Sequence, residues 1–267
     1  MKIRYLLVIA VLLLLAGCNA GRKPYGVFLS TSDELKRFDN FDTIVIDAQY
    51  YDREAIEQFK QGDHRVYSYI NVGSIENFRE YYADYENLTL GDYEHWDEEK
   101  WVDVSSEEWQ RFVLDELAPS LADKGIDGFF VDNCDVYYRY PSEDILEGLA
   151  IIMKGLKAYG VEVIINGGDA FMDAYTSDGG AWRDVISGIN QESVFSRINW
   201  EDMTFEAASD EDREYFVDYI ERYAQKGARI YLLEYTKDSK LIGEINKYCD
   251  AKGFSCYVSD SLELSGE

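Results

Sequence analysis

Histidine is nearly missing from this chain: His64 and His95 are the only two in 267 residues, beside four cysteines with no Cys-x-x-Cys pair. A metal centre built on His and Cys has too few ligands here, and neither a metal nor another cofactor is expected. No Gly-x-Gly-x-x-Gly or P-loop follows any candidate strand, which removes the phosphate-cradling nucleotide folds. No Gly-x-Ser-x-Gly elbow is present for serine hydrolysis. Cys134 has no evident histidine base for a thiol mechanism. Beyond the first residues, no stretch is apolar enough to cross a membrane. Positive charge is also scarce, with 26 Lys and Arg against 52 Asp and Glu, for a formal charge of −26. That balance argues against nucleic acid and anionic polysaccharide as partners and is compatible with a cationic ligand. Taken alone, the acidity also fits plain solubility at a cell surface.

The N-terminus carries a processing signal. Lys2 and Arg4 precede an apolar run from Tyr5 to Leu15 that is too short to span a bilayer. Leu14-Leu15-Ala16-Gly17-Cys18 then resembles the bacterial lipoprotein signal, which is cut before a Cys that carries a diacylglycerol. The alternative is an ordinary secretory signal with a chance Cys. The expected division is a signal peptide at 1–17, a tether at 18–23 with lipidated Cys18, and one domain at 24–267. The expected location is the bacterial cell envelope, lipid-anchored and outside the cytoplasm, where acyl chains hold a soluble domain on a membrane surface. Cleavage would leave 250 residues (267 − 17) and, by removing Lys2 and Arg4, a charge of −28. Cys249 and Cys256 are spaced for either a disulfide in an oxidising compartment or two buried thiols.

The mature chain alternates strand and helix to its end. Candidate strands are Gly26–Leu29, Thr43–Asp47, Val66–Asn71, Gly128–Asp132, Glu162–Asn166, Gly188–Glu192, Ile230–Glu234 and Ser255–Val258. Several lack polar alternation, as strands buried on both faces should. Ser105-x-x-Glu108 reads as a capping box before a helix at Trp109–Leu121, and Ser209-x-x-Asp212 precedes another at Tyr215–Ala224. Lys124-Gly125, Tyr159-Gly160, Lys226-Gly227 and Lys252-Gly253 each read as a helix stop with a strand soon after. A repeated helix–Gly–strand unit means parallel strands, and eight units favour a closed (β/α)8 barrel in one domain. The polar, aromatic stretch Glu80–Trp101 exceeds a simple β/α turn and is a candidate lid or cleft wall.

Carboxylates gather at the strand exits. Asp47 ends the second candidate strand, Asp132 the fourth with Asp135 three residues on, Glu192 the sixth and Glu234 the seventh. Asn166 ends the fifth, and Tyr69 and Asn71 the third. Each acid alone is an ordinary helix cap; together at one barrel mouth they form a ligand site. Glycoside hydrolysis needs such a pair, one acid to protonate the leaving oxygen and one carboxylate to attack or activate water. Asp132 and Glu192, two strands apart, should have backbones roughly 10 Å apart and carboxyls about 5–9 Å apart, a range that covers both retaining and inverting chemistry.

Gly125-Ile-Asp-Gly-Phe-Phe-Val-Asp-Asn-Cys-Asp135 resembles the fourth-strand signature of the endo-α-1,4-polygalactosaminidase family of glycoside hydrolases. Tyr69-Ile-Asn-Val-Gly-Ser-Ile-Glu76-x-x-Arg79, Trp101-Val-Asp-Val with Trp109, Asn190-Gln-Glu192 and Glu234-Tyr235 are similar to its other blocks. The resemblance implies a (β/α)8 barrel that cleaves a galactosamine-containing exopolysaccharide with two carboxylates, Asp132 as nucleophile and Glu192 as acid/base, or the reverse. Ser74 departs from a position that is often acidic in the family, and Glu192 follows Asn-Gln where some relatives have Glu directly after Asn. Such a cationic polymer would meet ammonium-binding acids in Asp47, Asp135 and Glu234, charge-assisted hydrogen bonds being the strong kind. Tyr50, Tyr69, Trp96 and Tyr137 would stack on sugar faces, with Asn71 and Asn166 as further contacts. Asp47 has a competing role as a helix cap, Tyr69 as barrel core, and Asp127 as the brace of the turn leading into the fourth strand. The rival reading is a non-catalytic polysaccharide-binding lipoprotein on the same barrel, marked by carboxyls well beyond about 10 Å apart.

Overall fold

The structure is a computed structural model that describes residues 21–266. The expected signal peptide and the expected lipidation site Cys18 lie outside the described residues. Eight parallel strands appear where the apolar runs stand: β1 Lys23–Phe28, β2 Phe41–Ile46, β3 Arg65–Asn71, β4 Gly128–Asp132, β5 Glu162–Asn166, β6 Gly188–Glu192, β7 Arg229–Tyr235 and β8 Ser255–Ser259. They hydrogen-bond in sequence order from β1 to β8. β8 returns beside β1, where the Tyr257 ring meets Phe28 and Phe41 edge-on. This is the (β/α)8 barrel.

Parity along the strands sorts side chains into two cores. One residue set packs between barrel and helices, including Ile44, Ile70, Phe129, Val131, Ile165, Ile189 and Leu232. The alternate set fills the barrel: Tyr25, Val45, Tyr67, Phe130, Ile164, Tyr231 and Leu233. Apolar residues on both faces explain the missing alternation. The tyrosines inside need partners for their hydroxyls. At the closed end Tyr67 donates to Glu162 and lies 3.1 Å from the Tyr231 hydroxyl, and Arg229 pairs with Glu162 at 2.7 Å.

The helix stops behave as their glycines indicate. Gly125, Gly160, Gly227 and Gly253 have φ of 83°, 76°, 91° and 69°, the left-handed region closed to most side chains. Ser209 caps the helix Asp210–Ala224 by accepting from the Asp212 N–H at 3.0 Å. The expected box at Ser105 is not formed. Ser105 bonds Asp103 instead, and the helix starts at Glu107 after Ser106 and continues as a π-helical turn over Phe112–Leu117.

Two excursions rise from the strand exits. The β3–β4 connection carries a three-stranded antiparallel sheet of Ser74–Glu76, Thr89–Asp92 and Glu99–Val102, and Tyr93, His95, Trp96, Glu98 and Glu99 of the stretch expected as a lid or cleft wall line the cavity. The β6–β7 connection carries a hairpin of Ser196–Asn199 and Thr204–Ala207, which the strand pattern did not single out. Among the described residues no helix is long and apolar enough to cross a membrane, and no His, Cys, Asp and Glu group is arranged to hold a metal. Cys249 and Cys256 are free thiols, and Cys256 donates to Asn246 Oδ1 at 3.4 Å. Asp127 braces the start of β4, accepting from the Val66 N–H at 2.8 Å and pairing with Lys60 at 2.8 Å.

Candidate active site

The barrel mouth opens into a cavity of about 890 Å³. Inward parity delivers Asp132 from β4, Asn166 from β5 and Glu192 from β6 to its floor. Asn166 joins the other two. Its Nδ2 donates to Asp132 Oδ1 at 3.0 Å and to Glu192 Oε2 at 2.9 Å. Its Oδ1 accepts from Asn190 Nδ2 at 2.7 Å, and Asn190 Oδ1 accepts from the Tyr25 hydroxyl at 3.1 Å. That chain fixes the amide so that both N–H bonds face carboxylates. Two oxygens on one nitrogen lie no more than about 6 Å apart, and about 5 Å apart when the two N–H bonds diverge by their usual ~120°.

The electrostatics follow from that proximity. Burial and then the neighbouring Glu192 push Asp132 up to about 6, against hydrogen bonds from Asn166, the Asn133 N–H and Tyr69. Burial also raises Glu192, countered by the Tyr235 hydroxyl at 2.6 Å and by Asn166. Glu192 is open to the cavity yet ringed by protein, so loss of bulk solvation still dominates. Two carboxyls this close titrate as a pair.

Asn133 follows Asp132 in the left-handed conformation at φ 64°. Its Nδ2 donates to Glu99 at 2.8 Å and to Ser74 at 2.7 Å, and Glu99 Oε1 also accepts from Asn71 at 2.9 Å. Gly73 passes so close that a Cβ there would sit 1.8 Å from the Asn133 carbonyl oxygen. The β3–β4 sheet thus clamps the Asp132–Asn133 peptide. Burial pushes Glu99 up to about 7. Glu99, Asn133, Tyr93 and Tyr235 also lie at the site; Asn133 and Tyr235 stand inside the quoted motifs without a role assigned to them, and nothing local marks Tyr93 and Glu99, whose partners are distant in sequence.

The other expected residues divide. Tyr50, Tyr69, Trp96, Asp135 and Asn166 line the cavity, as does Asp47. Asp47, however, is nearly closed to solvent. It caps the turn at Gln49 and binds Arg79 at 2.6 Å, while Arg79 also binds Glu76 at 2.8 Å. Its carboxylate is taken, so it is an anchor for Arg79 and not a free ammonium site. Three residues do not line the cavity. Asn71 is buried in the Glu99 network, Tyr137 packs at the margin of the outer core, and Glu234 is fully buried facing the helices. Glu234 has the parity opposite to inward Leu233 and Tyr235. Among the described residues no cation pairs with Asp135. Burial, Asp169 and Asp132 push it up to about 7. Cys134 is fully buried against Met153, away from the chemistry. At the rim, His95 stacks on Trp200 with centroids 4.1 Å apart and Trp96 meets Trp200 edge-on at 6.1 Å, joining the two excursions.

An eight-stranded parallel barrel with a carboxylate pair on β4 and β6 defines a glycosidase-type site. The sequence profile of glycoside-hydrolase family GH114 matches residues 25–266. The chain belongs to that family, the one its fourth-strand motif resembles, and is a glycoside hydrolase. Among solved structures, the glycoside hydrolase domain of PelA from Pseudomonas aeruginosa is similar at 16% identity and TM-score 0.76, over 92% of this chain and 97% of that one. Aspergillus fumigatus Ega3 in complex with galactosamine is similar at 17% identity and TM-score 0.69, over 91% of this chain and 93% of that one. The α-galactosidase TtGalA of Thermus thermophilus shares the fold at 11% identity and TM-score 0.54, over 92% of this chain and 61% of that one. No curated protein matches.

Proposed function

We propose that this hydrolase cuts within a galactosamine-containing, cationic exopolysaccharide, with net retention, using Asp132 as nucleophile and Glu192 as acid/base. The observation that carries the proposal is the single Asn166 nitrogen shared by both carboxylates. A gap of about 5 Å suits direct attack, whereas a water between the carboxyls needs about 6.5–9.5 Å. It also speaks against a merely binding barrel. Asp132 accepts from Asn166 at 3.0 Å and has the Asn133 N–H and Tyr69 hydroxyl beside it, all favouring its anion, which suits the nucleophile. Glu192 is the more solvent-open of the two, which suits a group that exchanges protons with leaving group and water.

In the first step Asp132 attacks the anomeric carbon. The glycosidic C–O bond breaks with its electrons on the oxygen, which takes the Glu192 proton. Glu192 then removes a proton from water, which attacks the same carbon and frees Asp132. Asp135, half-buried, acidic and without a basic partner among the described residues, suits a substrate ammonium. The galactosamine in the Ega3 complex supports the sugar class. Tyr50, Trp96 and Trp200 supply stacking faces at the rim.

The lipid anchor at Cys18 belongs to the same proposal. β1 starts at Lys23, at the end of the barrel opposite the mouth. A short tether from Cys18 would hold that closed end toward the membrane and turn the mouth outward to an extracellular polymer.

The test is incubation with defined amino-sugar polymers, read by mass spectrometry. New oligosaccharides from partly deacetylated polygalactosamine are expected, and none from Asp132→Asn or Glu192→Gln, each with nearly unchanged thermal stability. Full activity in either variant overturns the site assignment. Cys18→Ser should release the protein from membranes; retention of that variant overturns the anchor.

A further inference from the structure

Glu234 lies outside the cavity and has an arrangement that burial alone does not require. Its carboxylate meets three consecutive backbone N–H groups in the turn after Glu192. Oε1 accepts from Val194 at 2.9 Å and Phe195 at 3.0 Å, and Oε2 accepts from Phe195 at 3.1 Å and Ser196 at 2.8 Å. The Ser196 hydroxyl adds a bond to Oε2 at 2.6 Å and accepts from the Tyr235 N–H at 2.9 Å. Successive N–H groups around an anion form a nest, a fixed and directional cradle. Here the protein supplies the anion itself.

The register explains the purpose. β6 ends at Glu192, opposite Leu233, so the β6–β7 ladder stops there. Beyond that point the Glu234 carboxylate takes over as acceptor for the next main-chain donors. Because neighbours on a strand face opposite ways, Glu234 points out to the turn while Tyr235 points in to the Glu192 carboxyl at 2.6 Å. Two adjacent residues of β7 thus hold one residue of β6, by its following main chain and by its side chain.

From this geometry we infer that Glu234 is a positioning residue for Glu192, setting through the Val194–Ser196 turn the aim of the group that protonates the leaving oxygen. The inference rests on the acid/base role proposed above for Glu192. A misplacement of about 1 Å costs on the order of a hundredfold in rate, so a rigid cradle at this turn bears on the chemistry.

Leaving-group dependence separates positioning from plain structural support. A dinitrophenyl glycoside of an oligogalactosamine departs without help from an acid; the unmodified oligomer needs one. Glu192→Gln serves as reference and should lose far more on the oligomer than on the dinitrophenyl glycoside in the first, glycosylating step. Glu234→Gln, which sets an amide N–H against the nest, should show the same pattern, roughly ten- to a hundredfold loss on the oligomer and under about threefold on the activated substrate. Ser196→Ala, which keeps the carboxylate and its backbone donors but drops the hydroxyl's bonds to Glu234 and from the Tyr235 N–H, should show a weaker version and is the readout if Glu234→Gln does not fold. Equal losses on both substrates, or none, in the variant that folds overturns the positioning role. If Glu192→Gln itself shows no leaving-group dependence, the acid/base assignment has failed instead.

Discussion

Replacing Asn166 by alanine tests how the paired carboxylates are tuned. The substitution removes one nitrogen that serves Asp132 at 3.0 Å and Glu192 at 2.9 Å, together with the acceptor for Asn190. A hydrogen bond to a charged group contributes roughly 1.5–3 kcal/mol. Water from the open cavity replaces part of that, so the lower figure applies to each bond. Two bonds at about 1.5 kcal/mol give ~3 kcal/mol of lost orientation and charge stabilisation, or about a hundredfold in kcat/KM. The pH profile supplies a second, independent reading. Asp132, held at about 6, must be ionised to attack, so kcat/KM should rise with pH through about 6. The Asn166 bond favours its anion, so its loss moves that limb upward by about one unit, equal to ~1.4 kcal/mol. The assay is initial-rate kinetics on a soluble oligogalactosamine between pH 4.5 and 8.5. A variant within threefold of the parent with its acid limb unmoved refutes the reasoning.

Asp135→Asn should raise KM about tenfold on deacetylated polymer, the worth of one charge-assisted bond, with little change on fully acetylated polymer; equal effects on both would remove Asp135 from amine recognition. Trp200→Ala removes the ring that joins Trp96 and His95 and should weaken oligomer binding several-fold by calorimetry, at a stacking contribution of about 0.5–1.5 kcal/mol; unchanged affinity would count against a rim subsite. Glu99 and Asp135 are each raised to about 7, above unfolded values near 4. They bind protons more tightly when folded, so their stabilisation is full below about pH 4 and lost as pH rises through about 7. The melting temperature should therefore rise as pH falls from 8 toward 5, and a steady fall over that range by calorimetry contradicts the burial argument. With a formal charge of −26, association with a cationic polymer should slow as salt rises, since screening shortens electrostatic steering; salt-independent kcat/KM would exclude it.

The barrel could be read from the chain because its punctuation is local. Gly125, Gly160, Gly227 and Gly253 end helices by a backbone conformation that few other residues adopt. Asp132 could be found because it closes the apolar run Phe129–Val131, and Glu192 because it ends the strand Gly188–Glu192 in the motif Asn190-Gln-Glu192. What failed was parity. β7 reads Arg-Ile-Tyr-Leu-Leu-Glu-Tyr, apolar on both faces, and nothing in it tells whether Glu234 or Tyr235 faces inward. Tyr231 in the barrel core fixes the answer, and Glu234 turns outward. Asp47 went astray for a different reason. Its exit position was right, but Arg79, 32 residues on, occupies it. The Glu99–Asn133 clamp joins residues 34 apart, and only the folded β3–β4 sheet brings them together. The hairpin at Ser196–Ala207 is short and sits among polar residues, so it lacked the apolar run that marked the barrel strands.

The configuration of the first sugar released tests the central claim most directly. The Asp132 and Glu192 oxygens that share the Asn166 amide lie no more than about 6 Å apart, short of the spacing that seats a water between two carboxyls and within that of direct attack. Proton NMR during the first minutes of oligogalactosamine cleavage should show the new reducing end with the configuration of the bond that was cut, before mutarotation mixes the anomers. The opposite anomer appearing first would contradict the Asp132–Glu192 geometry as the catalytic one.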